Sequence, residues 1–341
     1  MIATFGLDIG TTSIKVCKLK KTGKTYMLDS VIVSPNTSKG IMSESLVDQQ
    51  KLGNSLRELI TRAGIKDRNV NVSLPESQVY TKIIEMPLLS DKELAAALKW
   101  EMEQYIPLPL DQVKTDWQVL QKIEGKEKKG MFVLIVAAPT AVLEKYEKIL
   151  TQVDLVGESI ETEILSVQRA LAPLFATQVA HLVLHVGASS SIIAVVREQI
   201  LQMVFPIGLG GTAITRAISA DLGIDLAQAE NYKKAYGLNQ QAFEGKIGKA
   251  LSPILESITG DIKKALLLYK EKYKEEISQI ILSGGTALLP GIDAYFINSL
   301  NTQIVIGNCW DLYGITNIPN EVRREAPSFN VVFGLALRDL L

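Results

Sequence analysis

The chain has almost none of the residues from which metal centres and disulfide frameworks are built. Its 341 residues include two cysteines and two histidines. Cys17 and Cys309 lie far apart in the sequence, and neither has a neighbour at the spacing typical of metal ligands. The composition therefore argues against a zinc site built on His and Cys, and it predicts two buried free thiols in a reducing compartment.

The sequence also lacks a long apolar run and a dominant charge. Its longest apolar stretch, residues 131–139, is far shorter than a membrane-spanning helix requires. The first residues lack the positive region and long apolar core of a signal peptide. Basic residues number 36 and acidic residues 37, whereas nucleic-acid binding requires a clustered positive surface. We therefore expect a cytoplasmic protein that binds no nucleic acid and reaches the membrane only through a partner.

Two stretches of the sequence predict the same arrangement of strands. Residues 5–9 and 14–19 read as strands joined by a polar turn that contains glycine, and a third strand follows another turn. Residues 181–204 repeat this order of strand, polar turn, strand, turn and strand. The repeat is one of layout and not of sequence identity, and it predicts an α/β molecule with two lobes.

Residues 77–151 are predicted to form a small α+β unit inserted into this architecture. Residues 79–86 alternate like a strand, and Ser90 with Glu93 forms a capping box ahead of a helix. Two paired strands, 113–123 and 131–138, and a helix over 140–152 complete the unit.

Chemistry is concentrated in the turn after the first strand. This turn presents a carboxylate, a glycine, three hydroxyls and an amine: Asp8, Gly10, Thr11, Thr12, Ser13 and Lys15. Backbone N–H groups and hydroxyls in such a turn can wrap a polyphosphate, since they complement its anionic oxygens. Asp8 could hold a hydrated magnesium ion, because this hard cation prefers oxygen ligands. The pattern predicts a phosphate-binding turn, although an ordinary polar hairpin turn remains open.

Two further turns agree with this prediction. Residues 185–191 occupy the equivalent turn of the second repeat and could hold the phosphates from the opposite side. Residues 283–291 follow a strand and open a helix. Their paired glycines, Gly284 and Gly285, would let the backbone approach a flat ring, and the helix N-terminus would favour a nearby anion.

The order of these motifs resembles the actin-like ATPase superfamily, which has a two-lobed, ribonuclease H-like fold. The resemblance rests on residues 6–12, the inserted unit, the second hairpin and residues 282–286. Four shorter runs resemble the PilM family of pilus-assembly proteins, relatives of the division protein FtsA: Leu74-Pro75-Glu76, Ile84-Glu85-Met86-Pro87, residues 101–111 (EMEQYIPLPLD) and Phe205-Pro206-Ile207-Gly208. The resemblance covers nearly the whole chain.

The resemblance implies an ATP site with Mg²⁺ between the lobes. The first turn would contact the β- and γ-phosphates, and Asp8 would hold magnesium through water. Glu230 and Lys233 lie three apart on one helix and so on one face. From the second lobe, the resemblance implies phosphate contacts by Gly187, Ser189 and Ser190, and a cleft wall formed by Gly210, Gly211 and Thr212. It implies that Glu230 and Lys233 would reach the ribose. The adenine would be framed by Gly284, Gly285, Thr286 and Leu289.

Together, pattern and resemblance divide the chain into seven segments. The first lobe comprises residues 1–76 and returns at 152–180, with the inserted unit between them. The second lobe has a sheet part at 181–210, a helical part at 211–279 and an adenine-binding part at 280–328. A final helix over 329–341 is expected to pack on the first lobe. Within the helical part, Ser252 as N-cap and Pro253 as first helical residue predict where the longest helix begins.

One position departs from the pattern of the family. Proteins that it resembles usually carry aspartate where this chain has His185, and that carboxylate helps to order magnesium and the attacking water. A neutral imidazole cannot supply negative charge, and a protonated one would repel the metal. We therefore expect nucleotide binding with weak or no ATPase activity.

The resemblance also implies partners. PilM-like proteins dock the cytoplasmic N-terminal tail of the membrane protein PilN in a groove between the inserted unit and the first lobe. They couple it to the ATPases that drive pilus assembly. Apolar residues after the helix of the inserted unit are the candidate groove residues: Tyr105, Ile106, Leu108 and Leu110. Core packing is the alternative interpretation of these residues, and self-association also remains open.

Two other functions fit the same fold. A sugar kinase would need an aspartate base beside the acceptor hydroxyl, and no candidate follows the second hairpin. An FtsA-like filament protein would need an amphipathic membrane anchor. Residues 331–341 are mostly apolar, carry two charged side chains and are predicted to pack on the first lobe.

Overall fold

The computed structural model describes residues 3–38, 40–125 and 129–341. The strands of this part of the chain form three sheets, two with five strands and one with three. Each five-stranded sheet is the centre of one lobe, and the three-stranded sheet belongs to the inserted unit. This is the predicted α/β class.

The first lobe begins with the predicted three-stranded antiparallel arrangement. Its strands are β1 (Thr4–Ile9), β2 (Ser13–Thr22) and β3 (Thr25–Pro35). Helix α1 (Leu46–Ala63) ends at Gly64, whose φ of 67° is left-handed, a conformation that glycine adopts without steric cost. Strand β4 (Asn69–Leu74) then pairs in parallel with β1.

The inserted unit follows β4. It contains β5 (Tyr80–Met86), α2 (Asp91–Tyr105), β6 (Val113–Glu124) and β7 (Lys129–Pro139), and β7 is central in its antiparallel sheet. The predicted capping box is confirmed, because the backbone N–H of Ser90 donates to the Glu93 carboxylate at 2.9 Å.

Helix α3 (Thr140–Gln152) has the predicted bounds but packs outside the inserted unit. Tyr146 and Ile149 lie in the same apolar core as Phe5 and Leu7 of β1. The sequence pattern cannot tell which sheet an apolar helix face will meet. We therefore propose that the inserted unit ends after β7 rather than at residue 151. Strand β8 (Val156–Thr162), which pairs with β4, and helix α4 (Glu163–Ala170) complete the lobe.

The second lobe repeats the topology of the first. Strand β9 (His181–Val186) pairs antiparallel with β10 (Ser191–Arg197) and parallel with β12 (Gln279–Ser283), as β1 does with β2 and β4. The edge strands are β11 (Ile200–Ile207) and β13 (Gln303–Ile306). Four helices belong to this lobe: α5 (Gly211–Leu222), α6 (Leu226–Tyr236), α7 (Lys246–Tyr273) and α8 (Ile292–Leu300).

Helix α7 begins earlier than predicted. Ser252 and Pro253 do not start it but lie inside it. Gly245, with a φ of 73°, precedes the first turn. Ile247 and Leu251 continue the buried stripe of this helix toward its N-terminus, so their burial offsets the hydrogen bond that a proline inside a helix cannot donate.

The last helices are α9 (Cys309–Leu312), α10 (Asn320–Arg324) and α11 (Asn330–Leu337). Helix α11 packs on β1, β2 and α4. Val331 and Leu335 share an apolar core with Val183 and Ile192 of the second lobe, so α4 and α11 lie between the two large sheets. Throughout the ranges described, the helices are too short or too polar to cross a membrane.

Candidate functional site

The two turns predicted to bind phosphate lie opposite each other. The first joins β1 to β2, and the second joins β9 to β10. The hydroxyl of Thr11 donates to that of Ser189 at 3.4 Å. Thr11, Thr12 and Ser189 are all exposed, so both turns present a hydroxyl to solvent at the point where the lobes meet.

The first turn combines a buried carboxylate with a buried ammonium. Asp8 lies 3.6 Å from the Nζ of Lys15, which also donates to the hydroxyl of Ser13 at 2.9 Å. Burial raises the pKa of Asp8, and the charge of Lys15 opposes that shift. A Cβ at Gly10 would lie 2.9 Å from the backbone oxygen of Ser13, so this tight turn requires glycine.

The second turn is fixed to the first turn of α5. The N–H of Gly187 donates to the oxygen of Ser190 at 3.0 Å, and the N–H of Gly211 donates to the oxygen of Gly187 at 2.9 Å. The N–H of Thr212 donates to the oxygen of Ala188 at 2.8 Å. A Cβ at Gly210 would lie 2.6 Å from the backbone nitrogen of Ser190. The predicted phosphate and wall residues of this lobe therefore form one cluster.

Glu230 and Lys233 meet this cluster from α6. The Nζ of Lys233 lies 2.6 Å from a carboxylate oxygen of Glu230 and donates to the oxygen of Gly211 at 3.1 Å. Burial lowers the pKa of Lys233, and its hydrogen bond to Glu230 opposes that shift. Burial acts to raise the pKa of Glu230, but hydrogen bonds from Lys233 and Thr215 outweigh it and hold that pKa below its usual range.

The paired glycines lie against the second turn. Gly284 has a φ of 87°, and a Cβ there would lie 2.7 Å from the carbonyl carbon of Val186. Gly285 is exposed. A Cβ at Gly211 would lie 2.9 Å from the Thr286 hydroxyl, which places this segment beside α5. Leu289, in contrast, is buried in the core of the second lobe.

The segment predicted to open a helix, residues 283–291, lies entirely before the helix. Residues Gly285–Leu288 form a single 3-10 turn, and α8 begins at Ile292. Gly291, with a φ of 82°, separates the two because a left-handed residue cannot continue a right-handed helix.

His185 occupies the position on β9 that Asp8 occupies on β1. Its Nδ1 lies 3.0 Å from the hydroxyl of Ser283, which accepts a hydrogen bond from the amide of Asn330 at 2.9 Å. Burial, with the positive charge of Lys15 adding to it, lowers the pKa of His185 to about 4. The imidazole is therefore neutral at neutral pH and brings no negative charge to the cleft.

Two carboxylates next to the first turn were not among the predicted site residues. Glu163 opens α4, and its pKa is raised to about 8 by burial and by the nearby charges of Asp8 and Glu76. Burial raises the pKa of Glu76 to about 7. The only available signal was the Leu74-Pro75-Glu76 run. Over the residues with described placement, three or more His, Cys, Asp or Glu side chains nowhere converge as a metal site.

The candidate groove residues differ in accessibility. Tyr105 is 43% exposed, whereas Ile106 is 6% exposed and packs in the core of the inserted unit. Leu108 and Leu110 are partly buried against the same core. Ile106 therefore offers a partner little surface, and Tyr105 is the exposed member of the set.

The fold is shared with solved structures and with relatives. A PilM–PilN type IV pilus biogenesis complex has a TM-score of 0.86 at 26% identity, over 100% of this chain and 99% of that chain. MreB5 of Spiroplasma citri bound to AMPPNP has a TM-score of 0.51 at 14% identity, over 91% and 94%. The cell division protein FtsA of Streptococcus pneumoniae is 24% identical over 97% of this chain and 79% of its own length.

These likenesses confirm the predicted actin-like fold. One family model, described as type IV pilus assembly protein PilM, matches residues 6–340. Since that match spans almost the whole sequence, the chain belongs to the PilM family of type IV pilus assembly proteins, in the actin-like ATPase superfamily.

Proposed function

We propose that this protein binds ATP with Mg²⁺ between its lobes and serves as a cytoplasmic scaffold of a pilus or related secretion assembly platform. The main support for the nucleotide site is the approach of the Thr11 hydroxyl to the Ser189 hydroxyl, at 3.4 Å. It places two hydroxyl-bearing turns on opposite sides of one point. A triphosphate between them would receive hydrogen bonds from both lobes.

The residues around that point fit such a ligand. Gly10 and Gly210 keep the backbone open where a Cβ would collide. Asp8 would hold water on magnesium, and Lys15 would face phosphate oxygens. Glu230 would accept the ribose hydroxyls, and the exposed backbone of Gly285 would lie against the adenine. Bound magnesium would supply positive charge that offsets the charge of the phosphates.

We further propose that hydrolysis is weak or absent. His185 is buried and neutral, so it can neither attract magnesium nor take a proton readily from an attacking water. A sugar-kinase activity is the alternative that a phosphotransfer assay would reveal.

We also propose that the protein docks the cytoplasmic N-terminal tail of a PilN-like membrane protein. The similar structure that contains PilN supports this proposal. Such a tail would bind as an extended peptide with apolar side chains in pockets. It would hold this chain at the inner face of the cytoplasmic membrane, where assembly ATPases and further copies of the chain could be recruited.

Lys233→Met is expected to weaken MgATP binding at least tenfold. The change removes the ammonium that orients Glu230 and contacts Gly211. Lys234→Met is the matched comparison, because Lys234 also lies 3.6 Å from the Glu230 carboxylate but has 69% of its side chain exposed and should therefore cost less affinity. Titration calorimetry of both variants and the unchanged protein measures the effect. Equal losses in the two variants would contradict the assignment, and absence of any binding by the unchanged protein would remove the nucleotide site altogether.

Tyr105→Ala is expected to weaken binding of a synthetic PilN-like tail peptide about tenfold, as loss of an interface aromatic anchor does. Trp117→Ala is the control, since Trp117 lies in the same unit and is 42% exposed, against 43% for Tyr105. Fluorescence anisotropy of the labelled peptide gives both affinities. A larger loss in the Trp117 variant would move the groove to the β6 side of the unit.

The FtsA-like alternative predicts direct binding to lipid. Sedimentation with phosphatidylethanolamine–phosphatidylglycerol vesicles should leave the pure protein in the supernatant, because its last helix is packed between the lobes. Pelleting without the partner would favour an FtsA-like membrane protein.

A further inference from the structure

Glu76 connects the inserted unit to the helix that opens beside the first phosphate turn. It lies between β4 and β5 and is 3% exposed. One carboxylate oxygen accepts from the N–H of Ile164 in α4 at 3.3 Å, and the other accepts from the hydroxyl of Thr81 in β5 at 3.1 Å. A single buried side chain therefore holds both the first lobe and the inserted unit.

Glu163 extends this connection to the first phosphate turn. Glu163 follows β8, which pairs with β4 as β4 pairs with β1, and it precedes Ile164, whose N–H donates to Glu76 at 3.3 Å. The charges of Asp8 and Lys15 both act on Glu163, in opposite directions. Any change of charge beside Asp8 and Lys15 will therefore act on a group next to the residue whose N–H binds Glu76.

The strand at the other end of this connection touches both lobes. Thr81 belongs to β5, which lies against β11 of the second lobe. Ile83 of the same strand packs on the apolar core between the lobes. A shift of β5 would therefore move the whole inserted sheet, because β5 is paired with β7 along its length.

We propose that the path from Glu163 and Ile164 through Glu76 to Thr81 couples occupancy of the nucleotide site to the orientation of the inserted unit. This coupling rests on the nucleotide binding proposed above. A triphosphate and its magnesium ion change the charge around Asp8 and Lys15. The altered electrostatic force on Glu163 shifts the first turn of α4, to which Glu76 is hydrogen-bonded. Because Thr81 is hydrogen-bonded to Glu76, a shift of Glu76 displaces β5. Glu76 and Thr81 are positioning residues, and the nucleotide-bound and nucleotide-free molecules differ in how the inserted unit is held.

Hydrogen–deuterium exchange of the full-length protein with and without Mg–AMPPNP tests this coupling. Thr81→Val removes the hydroxyl at nearly constant volume, and Thr81→Ser keeps it. In the unchanged and serine proteins, the nucleotide analogue should change exchange rates in residues 80–124 at least twofold. In the valine protein, the change in residues 80–124 should be less than half of that in the unchanged protein. Protection of the two phosphate turns should persist, and the affinity for the analogue should stay within threefold of that of the unchanged protein.

Glu76→Asp provides a second variant. Its side chain keeps the charge but is one methylene too short to reach both Ile164 and Thr81, so it should lose the response as the valine protein does. A full response in both variants would overturn the coupling. So would an unchanged protein that protects its phosphate turns without any change in residues 80–124. Failure of the phosphate turns to gain protection would instead count against nucleotide binding itself.

Discussion

Replacing Gly334 with alanine is expected to lower the free energy of unfolding by about 3–5 kcal/mol, as the larger overpacking and backbone-strain effects do. A Cβ at this position of α11 would overlap the backbone carbonyl of Ser166 in α4, lying 2.6 Å from its carbon. The obstacle is the backbone of a helix and cannot rotate aside. Because α4 and α11 lie between the lobes, separating them would loosen both. Urea denaturation followed by circular dichroism measures the loss.

Gly260→Ala is the matched control for this prediction. Gly260 also lies inside a helix, α7, but no atom within 4 Å would meet its Cβ. Alanine should stabilise that helix by up to about 1 kcal/mol through its higher helix propensity. A Gly334 variant that is as stable as the Gly260 variant would show that α4 and α11 are not in close contact.

Elements whose ends carry local signals could be predicted from the sequence. Helix Thr140–Gln152 has the predicted bounds, because its apolar periodicity begins directly after Pro139. The packing partner of a helix carries no such signal, and the shared core of α3 and β1 is the reason for our proposal that the inserted unit ends before α3. At α7, a local signal was misleading, since Pro253 looks like a helix start but is tolerated inside a helix with a long buried face.

The candidate site, too, has parts that could be predicted from the sequence and parts that could not. The glycine-containing turns are continuous in sequence, so the chemistry of each could be read from its own residues. The network around His185 could not, because Asn330 donates to Ser283 across 47 positions of sequence. Glu76 and Glu163 are likewise brought together only by the pairing of β4 with β8. These contacts depend on pairing between distant parts of the chain, so residue type and spacing could not predict them.

Acidification from pH 6.5 to pH 4 is expected to cost the fold about 3 kcal/mol through His185 alone, the equivalent of its pKa difference between folded and unfolded protein. Burial and the charge of Lys15 lower the pKa of His185 to about 4 in the folded protein. Below pH 6.5, His185 is therefore protonated in the unfolded chain, whereas in the folded chain it stays neutral down to about pH 4. The free energy of unfolding falls across that window and is unaffected by this group at higher pH.

The carboxylates Glu76 and Glu163 act in the opposite sense. Their folded pKa values, about 7 and about 8, exceed the unfolded value, so the stability that they contribute is present at low pH and is lost as the pH rises toward 8. The contribution of His185 must therefore be isolated by difference. His185→Asn keeps a polar partner for Ser283 but cannot titrate, and it is the variant to compare with the unchanged protein.

Urea denaturation of both proteins between pH 4 and pH 8 gives that difference. It should be constant above pH 7 and should shift by about 3 kcal/mol against the unchanged protein as the pH falls from 6.5 to 4. Parallel curves would mean that the imidazole takes up its proton as readily in the folded protein as in the unfolded chain. The ring would then be hydrated and available to water on a bound metal ion, and the physical reason for expecting weak hydrolysis would be lost.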